Sequence, residues 1–240
     1  MGESVRAVRG RRARWLLLGT ALAQAVSPQV VGFDEESGAD PVVVPPGSFF
    51  AIWGVVVVGS VAAALWGLPL RRATRAPWTA VQVPVSLVQV GFVVWLLAAA
   101  AAPAFTLPVF LVMLGALAWS LRAVLRTPAD RPTRVLLGGT LGVYTGWSAA
   151  AVWLNAATLL PGAAPVAWVL LVAGAALTAC AGVRLFGGQP AFTLAAGWAL
   201  LGVIVSAAGA GERGLAALAA VGLAGAVVTA LASRRSAALA

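Results

Sequence analysis

The sequence contains no histidine and no lysine, and in 240 residues it has one cysteine, one tyrosine and seven acids. Each scarcity closes a class of chemistry. With Cys180 alone, no intramolecular disulfide can form. Without imidazole, and with so few carboxylates and thiols, the chain cannot supply an ordinary zinc, copper or di-iron site. Ser-His-Asp and Cys-His nucleophilic catalysis are excluded for the same reason. So is haem attachment through a cysteine pair. No acid falls clearly inside an apolar segment, which argues against an ion-coupled pump built on a proton relay. No cofactor is expected.

What is present is apolar. Hydrophobic residues make up 61% of the chain and charged residues 10%, and the mean hydropathy is +0.97. A soluble domain carries roughly 25% charged residues, so lipid is the expected solvent. A spanning helix needs about 20 apolar residues, because the hydrocarbon layer is about 30 Å thick and each residue rises 1.5 Å. The apolar segments do not alternate in polarity, which selects helices over a closed barrel. About eight spans are expected, near 15–31, 49–70, 79–102, 105–124, 135–160, 166–186, 191–208 and 214–232. Between them lie acidic, arginine-rich or Pro/Gly-rich breaks.

All sixteen basic residues are arginine, and the pI is near 11.8. Their placement excludes a nucleic-acid face. Alternate gaps between the spans receive the N-terminal arginines, then Arg71, Arg72 and Arg75, then Arg122, Arg126, Arg131 and Arg134, then Arg184, then Arg234 and Arg235. The other gaps receive only Arg213. The positive-inside rule reads this as an even number of helices with both termini cytoplasmic, in the cytoplasmic membrane. The first segment also has the pattern of a cleavable signal peptide, with Ala-x-Ala triplets at 21–25. Its continuation through Val30 and Val31, and the even charge pattern, favour an uncleaved helix.

Ten tryptophans are spread along the chain. Trp15, Trp66, Trp78 and Trp168 sit near span ends and suit an interfacial belt. Trp53, Trp95 and Trp147 lie inside their spans, where neighbouring helices or a cavity are the expected surroundings. The fifth span is the most informative. At about 100° per residue, Tyr144, Trp147, Ala151, Leu154 and Asn155 fall within roughly a 100° arc. Gly138, Gly142 and Gly146 lie on a roughly opposite arc, a small-xxx-small surface that admits another backbone. That surface serves either packing within the chain or a homodimer seam. Asn155 is either an interhelical staple or part of a site. On the third span Gln82, Ser86 and Gln89 share a face, as interhelical glue or as a cavity wall, with Trp95 rotated away from it.

The run at 143–155, VYTGWSAAAVWLN, resembles the last-helix signature of the TspO/MBR family (tryptophan-rich sensory protein, translocator protein). Tyr144, Trp147, Ala151, Leu154 and Asn155 match that signature in identity and spacing, while Val143 replaces a proline and Ala150 an aromatic. Upstream, the run at 45–54, PPGSFFAIWG, resembles the family's entry to its second helix, with Val57 near the place of a customary tyrosine. The third span has Trp95 but lacks the asparagine the family places before it.

The resemblance implies a five-helix membrane bundle over 15–160, after a basic segment at 1–14 and before a three-helix extension at 161–240. It implies a cavity for flat apolar ligands such as porphyrins or sterols. Phe50, Trp53, Tyr144, Trp147, Ala151 and Asn155 would bind the ligand, with Gln82, Ser86, Gln89 and Trp95 as a possible further wall. The expected partners are therefore an apolar or tetrapyrrole-like small molecule and membrane lipid, with a homodimer as an open possibility and no nucleic acid. The leading function is a membrane-embedded sensor or transporter and not an enzyme. One alternative is a small uncoupled exporter, for which Pro28, Pro84 and Pro108 are candidate helix breaks. The other is a membrane enzyme acting on porphyrins or isoprenoids, with Tyr144 and Cys180 as its reactive side chains. Cys180 reads more simply as a small apolar filler.

Overall fold

The computed structural model describes residues 2–32 and 41–238, with side chains at 10–32 and 41–236. The acidic stretch at 34–40 and the side chains of Arg6 and Arg9 lie outside the described residues. Eight long helices follow one another: α1 Gly2–Val31, α2 Ile52–Gly67, α3 Trp78–Ala101, α4 Thr106–Leu125, α5 Gly139–Thr158, α6 Pro165–Leu185, α7 Pro190–Gly209 and α8 Arg213–Ala238. No strand occurs among the described residues.

Helices α2 to α8 are long and apolar enough to cross a membrane, counting the short helical turns that lead into α2, α4 and α5. They leave large apolar side chains outward, including Leu87, Leu111, Leu177, Leu194 and Val221. A surface of that kind is stable against lipid tails and not against water. The chain is an all-α integral membrane protein. Helix α1 is long enough at 30 residues but is not apolar enough to count among the spans. Arginines run through Arg14, and the 17 residues that follow include Gln24 and Gln29; Thr20, Gln24 and Ser27 are buried against protein. The helices also run unbroken through Pro28 and Pro84, and Pro108 falls in the first turn of α4, where no intrahelical bond is lost. The breaks an exporter would use are absent at these prolines.

The chain divides into two compact units, Met1–Phe33 with Gly54–Leu141, and Asp34–Trp53 with Gly142–Ala240. In the first, α3 packs against both α1 and α4. Leu17 and Ala21 of α1, Val81, Val88 and Phe92 of α3, and Met113, Leu117 and Leu121 of α4 form its interior. Trp78, expected in an interfacial belt, is instead buried, because a Cβ-free Gly67 lets its ring lie across the end of α2.

In the second unit α8 packs against α6 and α7. Val43, Leu154, Ala157, Val172, Val203, Ala207, Leu215 and Ala219 form one buried cluster. Small residues set the spacing: Gly222 faces Ala176, Gly174 lies under the Trp153 ring, and Gly182 under Phe192. The turn from α6 to α7 follows from its sequence. Gly187 and Gly188 take φ of 62° and 69°, and the Gly188 N–H closes on the Val183 carbonyl at 2.8 Å. Gln189 then caps α7 by accepting from the Phe192 N–H, and Pro190 opens the helix. Cys180 fills a gap in this packing, its Sγ 3.7 Å from the Gly222 carbonyl.

Candidate ligand site

The site is built on α5. Asp130 accepts from the Thr133 N–H at 3.0 Å and Pro132 occupies the first turn, so a helical course begins at Arg131 and runs to Thr158. That course carries the residues from Tyr144 to Asn155 along one face of the spanning segment.

The opposite face holds α5 in place. A Cβ at Gly142 would meet Gln189 and Ala191, and one at Gly146 would meet the Phe192 backbone. At Gly142 and Gly146 the glycine surface is therefore closed by α7 of the same chain, while Gly138 faces Val124 of α4. This is the intramolecular use of the small-xxx-small pattern. Helix α7 also holds the segment before α2. Trp198 donates its Nε1–H to the Phe49 carbonyl at 2.9 Å and packs its ring 4.6 Å from that of Phe49. Gly202 leaves room for Pro45 and Phe49. Both segments that carry the sequence signatures thus rest on a helix of the C-terminal extension.

With α5 and the Pro45–Trp53 segment fixed, their aromatic rings meet. Trp53 packs edge-on to Tyr144 with ring centroids 5.6 Å apart, and to Trp147 at 6.3 Å. Phe50 meets Trp147 edge-on at 5.6 Å. Tyr144 and Trp147 are almost fully buried. Ala151 lies one turn beyond Trp147, and Asn155 one turn beyond Ala151. The six residues Phe50, Trp53, Tyr144, Trp147, Ala151 and Asn155 all belong to the second unit.

On this face of α5 Trp147 Nε1, Ser148 Oγ and Asn155 Oδ1 are buried and have no hydrogen-bond partner among the described residues. Buried polar groups in proteins are nearly always paired, and an unpaired one costs about 1–3 kcal/mol. Ser148 was not singled out from sequence. The signal was available: it lies four residues after Tyr144 and seven before Asn155, on the same face. Serines in helices usually bond back to the carbonyl four residues earlier. Ser86 does so to Gln82 and Ser120 to Ala116, but Ser148 does not. The site therefore offers aromatic edges and faces, one N–H donor, one hydroxyl and one amide oxygen. None of these groups is a ready proton donor or acceptor near neutral pH.

The other four sequence candidates belong to the first unit. The Thr20 hydroxyl donates to Gln89 Oε1 at 2.6 Å, Gln82 Nε2 donates to the Ala73 carbonyl at 3.2 Å, and Ser86 donates to the Gln82 carbonyl at 2.8 Å. This row faces α1 and a neighbouring turn, as interhelical glue does, although Gln82 Oε1 and Gln89 Nε2 are buried without a partner among the described residues. Trp95 packs between Phe92 and Phe110, with centroids 6.1 and 5.9 Å away.

A family model described as TSPO-like protein matches residues 18–233. The matched stretch runs through α6, α7 and into α8, so the extension is part of the matched pattern. Neither the curated proteins nor the solved structures contain a match.

Proposed function

This chain belongs to the TSPO-like family, and from that premise we propose that it is a non-enzymatic, membrane-embedded binding protein, a sensor or transporter, for flat apolar ligands of the tetrapyrrole kind. The observation that carries the reading is the set of three unpaired polar atoms, Trp147 Nε1, Ser148 Oγ and Asn155 Oδ1, beside a cluster of aromatic rings. Rings stack on a macrocycle, and a few fixed polar groups orient it. Ala151 contributes by being small, since a larger side chain would fill the space between Trp147 and Asn155. On the same reading the arginine-rich helix ends face the cytoplasm, in the inner membrane.

Protoporphyrin IX titrated into the purified protein in detergent, read by tryptophan fluorescence quenching, tests the proposal. Saturable binding at micromolar or lower concentration is expected, weakened about tenfold, or about 1.4 kcal/mol, by Trp147→Leu or Asn155→Ala. Non-saturable partitioning that is identical in wild type and both variants would overturn it.

A further inference from the structure

A second candidate site lies wholly within the first unit. Two turns, the one from α2 to α3 and the one from α4 to α5, enclose a cavity of about 410 Å³. That volume lies in the range of small-molecule sites. Arg71, Arg72 and Arg75 line it from the first turn, and Asp130 and Thr133 from the second, over Trp78. The arginines thus outnumber the one carboxylate.

The wall is organised before any ligand arrives. Arg72 lies flat over the Trp66 ring, its guanidinium carbon 3.5 Å from the centroid, and donates one N–H to the Trp66 carbonyl at 3.1 Å. Trp66 in turn donates its Nε1–H to Thr133 Oγ1 at 3.1 Å. Asp130 is fixed by the Thr133 N–H. Hydrogen bonds from Thr133, with the charge of Arg72 nearby, hold its carboxyl below the ordinary value of 3.8. The sign follows: the cap is present at ordinary pH and is lost only as pH falls through that lowered value. Stacking leaves most of the five donors of Arg72 directed elsewhere than at Trp66. Arg71 and Arg75 are exposed.

We propose that this cavity is a phosphate-ester site, in which Arg71, Arg72 and Arg75 grip the phosphate and Asp130 accepts a hydrogen bond from a hydroxyl of the esterified alcohol. Arginine forks match two phosphate oxygens at once. Three of them around a cavity that also presents a fixed carboxylate select an anion carrying its own donor over a bare anion. The ester has two sources, the headgroup of a glycerol phospholipid or a soluble glycerol phosphate, and the chemistry is shared.

The test uses the full chain in a neutral detergent, with binding read by thermal shift and native mass spectrometry. One arm adds phosphatidylglycerol against phosphatidylcholine, and the other adds glycerol 3-phosphate. The variants are the pair Arg71→Gln with Arg75→Gln, and a control pair of exposed arginines outside the cavity, Arg126→Gln with Arg235→Gln. Tenfold or greater weakening in the cavity pair, with less than twofold change in the control pair, is expected in at least one arm. Weakening in the lipid arm alone assigns a headgroup, and in the soluble arm alone a free ester. Equal loss in both pairs, or no preference over phosphatidylcholine together with no glycerol 3-phosphate binding, would overturn the proposal.

Discussion

Helices α3 and α5 each carry a row of polar side chains through an apolar segment, and the two rows are used differently. On α3 each member has a protein partner. Gln89 accepts from Thr20, Gln82 donates to the Ala73 carbonyl, and Ser86 bonds back along its own helix. On α5 the polar atoms of Trp147 and Ser148 and the amide oxygen of Asn155 have none. Both rows are buried, so burial does not separate glue from site. What separates them is that every α3 residue is tied into the fold by at least one bond, although Gln82 Oε1 and Gln89 Nε2 are left unpaired, whereas the Trp147 indole N–H and the Ser148 hydroxyl have none among the described residues. A row anchored at every residue holds two helices together; one whose donors and hydroxyl are left over beside rings is, on the proposed reading, a recognition surface kept at a cost to stability.

The comparison breaks first if α5 is not rigidly held. Gly146→Ala is the largest expected effect, because the new Cβ meets the Phe192 backbone, which cannot swing aside. Overpacking of this kind costs about 1–3 kcal/mol. Thermal unfolding in detergent should show it, against Gly115→Ala as control, since nothing lies within 4 Å of that position. Equal stability of the two variants would show that α7 does not clamp α5. The next effect is on binding. Trp147→Leu should weaken protoporphyrin binding about tenfold, or about 1.4 kcal/mol, and also lower the unfolding temperature, because the buried indole loses its packing on Phe50 and Trp53. Gln89→Leu should change stability alone. It removes the bond from Thr20, for about 0.6–2 kcal/mol of stability, and leaves porphyrin affinity unchanged. The low end is expected, since Thr20 keeps its bond to the Leu16 carbonyl at 2.9 Å.

Much of this was legible in sequence, for definite reasons. The spans were readable because each runs between Pro/Gly or arginine breaks. The glycine stripe was readable because spacing by four is visible in a helix of any context. Its partner was not, since nothing in Gly142 or Gly146 says whether α7 or a second chain will fill the groove. The polar row on α3 was seen, but its use was undetermined, because the α1 partner Thr20 lies 69 residues away. The burial of Trp78 depended on one missing Cβ at Gly67. Arg71, Arg72 and Arg75 were visible as a cluster, but the cavity was not, because its second wall is distant in sequence and joins the first through Trp66 and Thr133.

Ser148→Ala is the smallest effect expected and the sharpest test. In an ordinary helix the change removes a back-bond and a buried hydroxyl that had been satisfied. Here the Oγ has no partner, so its removal takes away an unmet polar group and nothing else. Stability should be unchanged or slightly raised, since replacing an unsatisfied buried polar group by an apolar one is nearly neutral or favourable. Ser86→Ala on α3 serves as the control, because its hydroxyl is bonded to the Gln82 carbonyl at 2.8 Å and the change loses that bond. The two variants should differ in unfolding temperature with Ser148→Ala the more stable. Porphyrin affinity should fall only in Ser148→Ala. If both serines respond alike in unfolding and binding, then the α5 row is packing like that of α3, and the distinction between the two helices fails.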